Sequence, residues 1–256
     1  MRIIKAIIVA FSMYSRIPMP RFEWAGEDMK YHLIFFPWVG AVIGLLEYLW
    51  LYICNQTGIE QLPFAAIVIV IPLVVTGGFH VDGYMDTSDA LSSWREKEKR
   101  LEILKDPHIG AFAVIKLLTA ILTLLAALLL MNKESFLAWI VTFFLARAFS
   151  GISVVRFKNA KKDGLLNTES ETASQRVVFI ALVVQLVAMA AALILFYPIY
   201  GIAIMVTQLL CFVWYKRVAM SKFGGITGDL AGWYVTKSEV WTALVCAILT
   251  VVLEAL

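Results

Sequence analysis

The chain has 256 residues, of which 61% are hydrophobic and only 16% are charged, and its formal net charge is +3. This composition, with a mean hydropathy of +0.82, excludes an ordinary soluble domain, in which about 25% of residues are charged. We expect a single all-α integral membrane domain over residues 1–256, a polytopic helical bundle in contact with the lipid bilayer. Nothing in the charge pattern predicts a nucleic-acid partner. Three cysteines lie in or beside apolar runs, without the paired spacing of a zinc site or a disulfide framework: Cys54, Cys211 and Cys246.

The first apolar run, residues 6–14, is flanked on both sides by basic residues. It is too short to cross a hydrocarbon core of roughly 30 Å. No small-residue cleavage site follows it, so it does not match a signal peptide. The sequence predicts an interfacial or re-entrant helix here, ended by Pro18 and Pro20.

Seven further apolar segments suggest membrane spans, at about residues 33–54, 63–78, 109–131, 135–155, 177–196, 199–215 and 240–253. Lysine and arginine concentrate in the N-terminus and in alternate connections, including a polar loop at residues 156–176. Because basic connections tend to stay in the cytoplasm, we expect the amino terminus inside and the carboxyl terminus outside.

Charged residues inside the predicted spans are informative, because an unpaired charge is costly in lipid. Glu47 lies in the first span, where it either lines a site or pairs with a neighbouring helix. Arg147 lies about two helical turns from the cytoplasmic end of its span, where it contacts either a phosphate or an aspartate. The spacing of Gly40 and Gly44 predicts close packing of the first span against another helix.

Three aspartates follow the second span: Asp82, Asp86 and Asp89. On one helix, spacings of four and three residues place them within an arc of roughly 60°. Such crowded carboxylates favour a bound cation, and oxygen ligands beside phosphates suit Mg²⁺. The alternative is a solvated helix face without metal. We expect this helix to continue out of the membrane to about Trp94, with His80 on its opposite face, contacting either the substrate or only its protein neighbours.

A glycine-rich motif, GGITGD at residues 224–229, precedes the last span. Its backbone N–H groups and the Thr227 hydroxyl suit phosphate oxygens, and Asp229 suits a metal. Glycines equally serve a tight loop between helices. Lys105 lies where a polar segment re-enters the membrane and is a candidate phosphate contact. The predicted topology places these features and the aspartate row on the cytoplasmic side, which indicates one site.

Taken together, the motifs resemble one family, the integral-membrane cobalamin (5′-phosphate) synthases, also called adenosylcobinamide-GDP ribazoletransferases. The matching pieces run through most of the chain, and their order and spacing are specific. They are SRIPMP (15–20), FPWVG (36–40), GGFHVDG (77–83), DTSD (86–89), RLEILKD (100–106), IGAF (109–112) and GGITGD (224–229).

This resemblance implies a reaction and a location. The cobinamide phosphate of adenosylcobinamide-GDP would pass to α-ribazole or its 5′-phosphate, giving adenosylcobalamin or its 5′-phosphate and GMP, with Mg²⁺. The enzyme would lie in the bacterial cytoplasmic (inner) membrane as a multi-pass protein, its active site facing the cytoplasm.

The candidate residues take the following roles in that reaction. Asp82, Asp86 and Asp229 would hold Mg²⁺, and Asp89 would take the proton of the attacking hydroxyl. Arg147 and Lys105 would offset the charge that accumulates on GMP. The remaining candidates for substrate binding are Gly224, Gly225, Thr227, Gly228 and His80.

Two other functions fit parts of the same pattern. A membrane CDP-alcohol phosphotransferase or prenyltransferase also places an aspartate-rich helix beside a cytoplasmic cavity. An ion-coupled transporter would use the aspartates, Glu47 and Arg147 as an ion pathway, but its carboxylates and helix breaks belong near the bilayer midplane.

Overall fold

The computed structural model describes residues 2–23, 26–160 and 165–256, and this part of the chain is almost entirely helical. A 3-10 segment, Asp28–Phe35, precedes α2, and a π-helical turn, Ala219–Phe223, follows α11. The α-helices are α1 (Arg2–Tyr14), α2 (Phe36–Thr57), α3 (Gln61–Thr76), α4 (Phe79–Ser92), α5 (Lys97–Ile103), α6 (Ala111–Leu130), α7 (Lys133–Trp139), α8 (Thr142–Arg156), α9 (Leu165–Thr172), α10 (Gln175–Phe196), α11 (Pro198–Val218) and α12 (Gly228–Glu254).

The predicted all-α membrane bundle is confirmed. Six helical stretches are long and apolar enough to cross a membrane: Asp28–Thr57, Ala111–Leu130, Lys133–Arg156, Gln175–Phe196, Pro198–Phe223 and Gly228–Glu254. Helices α3 and α4 pass the same test only together, which allows up to seven spans among the described residues. Helix α1, with 13 residues, is not among the candidate spans, in agreement with the short N-terminal helix that the sequence predicts.

Two predicted boundaries were wrong. The last span was expected to begin near residue 240, but α12 begins at Gly228, because the Thr227 side chain caps the helix by accepting a hydrogen bond from the Leu230 N–H. The polar connection at residues 156–176 was expected to be a loop. Its residues 161–164 lie outside the described residues, and α9 occupies much of the remainder.

Helix α8 is the centre of the bundle, since every residue from Thr142 to Val155 is buried. Helix α2 packs closely against it through two glycines. A Cβ atom on Gly40 would overlap the backbone carbonyl of Phe143, and one on Gly44 would lie 3.0 Å from the carbonyl oxygen of Ile140. The close helix packing that the sequence predicts at these glycines is therefore confirmed.

A sharp bend separates α3 from α4. Gly77 and Gly78 have φ angles of 74° and 84°, a left-handed conformation that glycine adopts without the steric cost of a side chain. The axes of α3 and α4 differ by 97°. The aspartates were expected on a helix that continues from the second span to about Trp94. They do lie on a helix, α4, but the two glycines separate it from the span.

The bend lays α4 against the start of α12. A Cβ atom on Gly83 would lie 2.7 Å from the backbone oxygen of Asp229, and one on Gly232 would lie 3.0 Å from the backbone oxygen of His80. Each helix therefore contributes one glycine to a close backbone approach. This packing brings the aspartate row and the glycine-rich motif together.

Candidate active site

The aspartate row lies on α4, with Asp82 exposed and Asp86 and Asp89 half-buried. Asp229 lies in the first turn of α12, where the Thr227 hydroxyl is 3.5 Å from its Oδ2 atom. Acidic residues are favourable in the first turn of a helix, because the helix dipole is positive at that end. The two motifs therefore bring carboxylates from two different helices to one place.

The pKa of Asp86 reflects the other carboxylates around it. Asp86 lies beyond the bend and outside the six helices long enough to span by themselves. Partial burial and, in decreasing order, the charges of Asp82, Asp229 and Asp89 together raise the pKa of Asp86 to about 6. Four acidic groups thus share one electrostatic environment, as the sequence predicts for Asp82, Asp86, Asp89 and Asp229.

The glycine-rich motif is fixed to the connection that follows α8. The Ile226 N–H donates to the carbonyl of Lys158 at 2.8 Å, and the Ala160 N–H donates to the carbonyl of Ile226 at 2.9 Å. A Cβ atom on Gly225 would overlap the backbone at Ala160. Close backbone contact therefore explains Gly225 without invoking a ligand.

Gly224 has a different environment. Its φ angle is 76°, and a Cβ atom there would overlap the Nζ atom of Lys97. The ammonium group of Lys97, at the start of α5, therefore lies directly over this end of the motif. Gly228 has open space around it, so its surface is accessible to a ligand.

A cavity of about 470 Å³ opens beside these motifs. This volume lies within the range of about 300–1,000 Å³ that small-molecule sites occupy. Its lining includes five of the predicted site residues and not the other six, which are Asp86, Asp89, Lys105, Arg147, Gly224 and Gly225. The five are His80, Asp82, Thr227, Gly228 and Asp229.

The far wall of the cavity comes from the N-terminal helix and from α9. The Tyr14 hydroxyl donates to the Oε1 atom of Glu169 at 2.8 Å and lies 3.2 Å from the Nε2 atom of His32. Burial raises the pKa of Glu169 to about 7, although the hydrogen bond from Tyr14 opposes the shift. Phe36 stacks close to Tyr14, with 4.2 Å between ring centroids. This wall combines aromatic rings with one buried carboxyl group.

Arg147 lies beneath the cavity and is only 1% exposed. Its guanidinium donates to Glu239 Oε1 and to the carbonyl of Phe143, each at 2.8 Å, and lies 3.4 Å from His80 Nδ1. Of the two predicted contacts, the structure shows the protein carboxylate, on a glutamate rather than an aspartate. His80 was expected on the helix face opposite the aspartates, contacting either the substrate or only its protein neighbours, and the structure places it in the cavity lining, beside Arg147.

Three other predicted residues have clear positions. The Asp89 carboxylate packs on Gly110, where a Cβ atom would overlap both of its oxygens. Lys105 is exposed in the turn after α5 and does not reach the cavity lining. Glu47 is fully buried, and neither of its carboxylate oxygens has a hydrogen-bond partner in the described structure.

Mg²⁺ was expected at Asp82, Asp86 and Asp229. The shared electrostatic environment and the hard oxygen donors fit this ion. Among the described residues, however, no group of three or more His, Cys, Asp or Glu side chains converges on one point. Mg²⁺ commonly binds through one or two carboxylates plus substrate phosphates. The arrangement therefore fits a metal whose remaining ligands come from the substrate.

Sequence reasoning missed several residues of the site. Glu239 was passed over because the last span was placed after it, although a glutamate within an apolar run is itself a signal. The sequence carried no signal for Tyr14 and Glu169, because only the fold brings α1 next to α9. Lys97 belongs to a run of charged residues that resembles any solvated helix face.

Comparisons with known proteins agree with the motifs. A sequence model of the family described as cobalamin-5-phosphate synthase matches residues 6–247. An adenosylcobinamide-GDP ribazoletransferase of Lachnoclostridium phytofermentans is 41% identical over 248 residues, covering 97% of this chain and 95% of that protein. The protein of the same name in Clostridium perfringens strain SM101 is 32% identical over 240 residues, covering 92% and 94%. No solved structure matches. The chain belongs to the cobalamin-5-phosphate synthase family.

Proposed function

We propose that this protein transfers the cobinamide phosphate of adenosylcobinamide-GDP to α-ribazole or α-ribazole 5′-phosphate, releasing GMP. The observation that carries the proposal is that Asp82 and Asp229, from two separate family motifs, line one cavity. The family match and the names of the relatives supply the substrates. The site supplies what such a diphosphate needs, carboxylates for a metal and a glycine-rich turn beside them.

The reaction is a displacement at phosphorus. A ribose hydroxyl of α-ribazole forms a bond to the phosphorus that carries the cobinamide arm. The bond from that phosphorus to the bridging oxygen breaks, and its electron pair leaves on GMP. The proton of the hydroxyl passes to a carboxylate, for which Asp89 is the proposed acceptor.

Asp82, Asp86 and Asp229 are the proposed ligands of Mg²⁺. When bound, the ion neutralises charge on the diphosphate and on the leaving group. The ammonium group of Lys97 lies over Gly224, outside the cavity lining, and we propose that it attracts phosphate oxygens. Lys105 is proposed to approach GMP from the exposed turn before α6.

Arg147 does not contact the substrate directly in this proposal. Its guanidinium is buried and bonded to Glu239, and it contacts the cavity through His80 Nδ1. We assign it the role of a positioning residue that orients the imidazole and contributes positive potential beneath the phosphates. The distribution of lysine and arginine supports a cytoplasmic orientation of the site, in the inner membrane of a bacterium.

The purified protein, reconstituted in lipid, tests the proposal. With adenosylcobinamide-GDP, α-ribazole and Mg²⁺, we expect GMP and adenosylcobalamin to form in equal amounts and to require both substrates. Chelation of Mg²⁺ should abolish both products. GMP release without α-ribazole, or CMP release from a CDP-alcohol instead, would contradict the proposed reaction.

A further inference from the structure

The cavity lining includes a carboxyl group that the proposed reaction leaves unused. Glu169 is only 4% exposed and lines the cavity. Its Oε1 atom accepts the hydrogen bond from Tyr14, and no described residue bonds its Oε2 atom. A buried carboxyl oxygen without a partner is costly, and a ligand with N–H donors would satisfy it.

The walls around Glu169 suit a flat heterocycle. Tyr14, Phe36 and Phe79 all line the cavity, and ring centroids of the Tyr14–Phe36 and Tyr14–Phe79 pairs are 4.2 and 6.4 Å apart. Aromatic side chains of this kind stack on nucleic-acid bases whatever the base. The rings therefore supply affinity for a base, and the carboxyl group supplies the means to choose between bases.

The same cavity joins these residues to the aspartates. Tyr14 and Glu169 contribute to its lining from α1 and α9, and Asp82 and Asp229 contribute from α4 and α12. A second, more open cavity of about 910 Å³ shares Phe79 and Asp82 with it. A nucleotide in the first cavity can thus place its base against Tyr14 and Glu169 and its phosphate at the aspartates, leaving the open cavity for a bulkier group.

We propose that Glu169 and Tyr14 form the recognition site for the guanine base of the nucleotide substrate and product. Guanine presents two adjacent donors, N1–H and the 2-amino group, which match a carboxylate. The base of α-ribazole has no N–H donor once it is joined to the sugar, so it would leave the carboxylate unsatisfied. The inference rests on the proposed function for its substrate, but binding of GMP tests it without turnover.

The experiment measures equilibrium binding of GMP and IMP to the purified full-length protein in lipid with Mg²⁺. IMP lacks only the 2-amino group. Loss of one hydrogen bond to a charged acceptor costs about tenfold in affinity, so the protein should bind GMP about tenfold more tightly than IMP. In Glu169→Gln, GMP binding should weaken to the level of IMP, whereas the KM for α-ribazole stays unchanged.

Two further variants keep the test decisive. Glu98→Gln removes an exposed carboxylate on α5 and should leave the GMP-to-IMP ratio as in the unmodified protein. Tyr14→Phe keeps the carboxylate, so it should weaken both nucleotides slightly and equally. If Glu169→Gln does not fold, Glu169→Asp takes its place, and its shorter side chain should reduce the ratio.

Three results would overturn the inference. One is equal binding of GMP and IMP by the unmodified protein. Another is a raised KM for α-ribazole in Glu169→Gln with an unchanged ratio, which would assign the cavity to the nucleophile. The third is no change in either quantity, which would leave Glu169 a partner of Tyr14 only. Absence of turnover in the unmodified protein, with the binding ratio intact, would instead contradict the proposed reaction.

Discussion

Two groups of charged side chains lie on either side of His80, and they differ in how their charge is balanced. In the inner group, Arg147 and Glu239 form an ion pair at 2.8 Å, with side chains 1% and 13% exposed. In the outer group, Asp82 is exposed and Asp86 is half-buried, and neither forms a salt bridge with any described residue. The charges of Arg147 and Glu239 neutralise each other within the protein, whereas the charge of these aspartates is left for a ligand to neutralise.

This contrast predicts which substitutions reduce the stability of the fold and which remove only a contact with the ligand. Removing one partner of a buried ion pair leaves an uncompensated charge, so the protein loses stability. Removing an exposed carboxylate relieves repulsion, so the fold is preserved and only the ligand loses a contact. The predictions below test that division, beginning with the largest expected effect.

Neutralising an aspartate of the outer group should abolish activity without unfolding the protein. In Asp82→Asn we expect kcat/KM for adenosylcobinamide-GDP to fall about 10²- to 10³-fold, the range for loss of one group that stabilises transition-state charge. Thermal unfolding in detergent should occur at the same or a slightly higher temperature. Glu98→Gln is the matched control and should be fully active. A folded Asp82→Asn variant with normal turnover would remove the outer group from the reaction.

Breaking the inner ion pair should reduce stability as well as activity. Glu239→Leu leaves Arg147 buried without its carboxylate and should lower the free energy of unfolding by about 3 kcal/mol. The double variant Arg147→Met/Glu239→Leu should recover most of this stability, because it removes both charges together. Its activity should stay low, since His80 loses its guanidinium contact. Full activity of the stable double variant would show that the pair serves the fold alone.

The contact that holds the two motifs together is expected to be sensitive to one methyl group. Gly83→Ala places a Cβ atom 2.7 Å from the Asp229 backbone oxygen, and such overpacking costs about 1–3 kcal/mol. Gly228→Ala is the control for stability, because the space around that glycine is open. Equal unfolding temperatures for the two variants would argue against the close approach of α4 and α12.

The smallest effect is expected at the bend between α3 and α4, which positions the aspartates of the outer group. Gly78→Ala forces a side chain into the left-handed region, at a cost of about 1 kcal/mol. Gly58→Ala, at the end of α2, imposes the same strain far from the site, with φ of 70°. Both should lose similar stability, but only Gly78→Ala should lower kcat/KM. An equal loss of activity would mean that the bend does not position the aspartates.

The sequence predicted what depends on local pattern. Apolar length predicted the bundle, which the structure confirms, and the spacing of the aspartates and glycines predicted two motifs that the structure brings to one cavity. It did not reveal the bend, because Gly77-Gly78 reads equally as close packing or as a turn. The partnership of Tyr14 with Glu169, and of Arg147 with Glu239, joins residues far apart in the chain, so only the folded structure shows it.

The central claim is that Asp82 and Asp229 act together in one site, and a double-mutant cycle on kcat/KM measures this directly. Residues that act as a unit show strongly non-additive losses. We predict that Asp82→Asn/Asp229→Asn loses about as much activity as the more damaging single variant. If instead the two losses multiplied, the aspartates would act independently, and the single site proposed for the two motifs would be wrong.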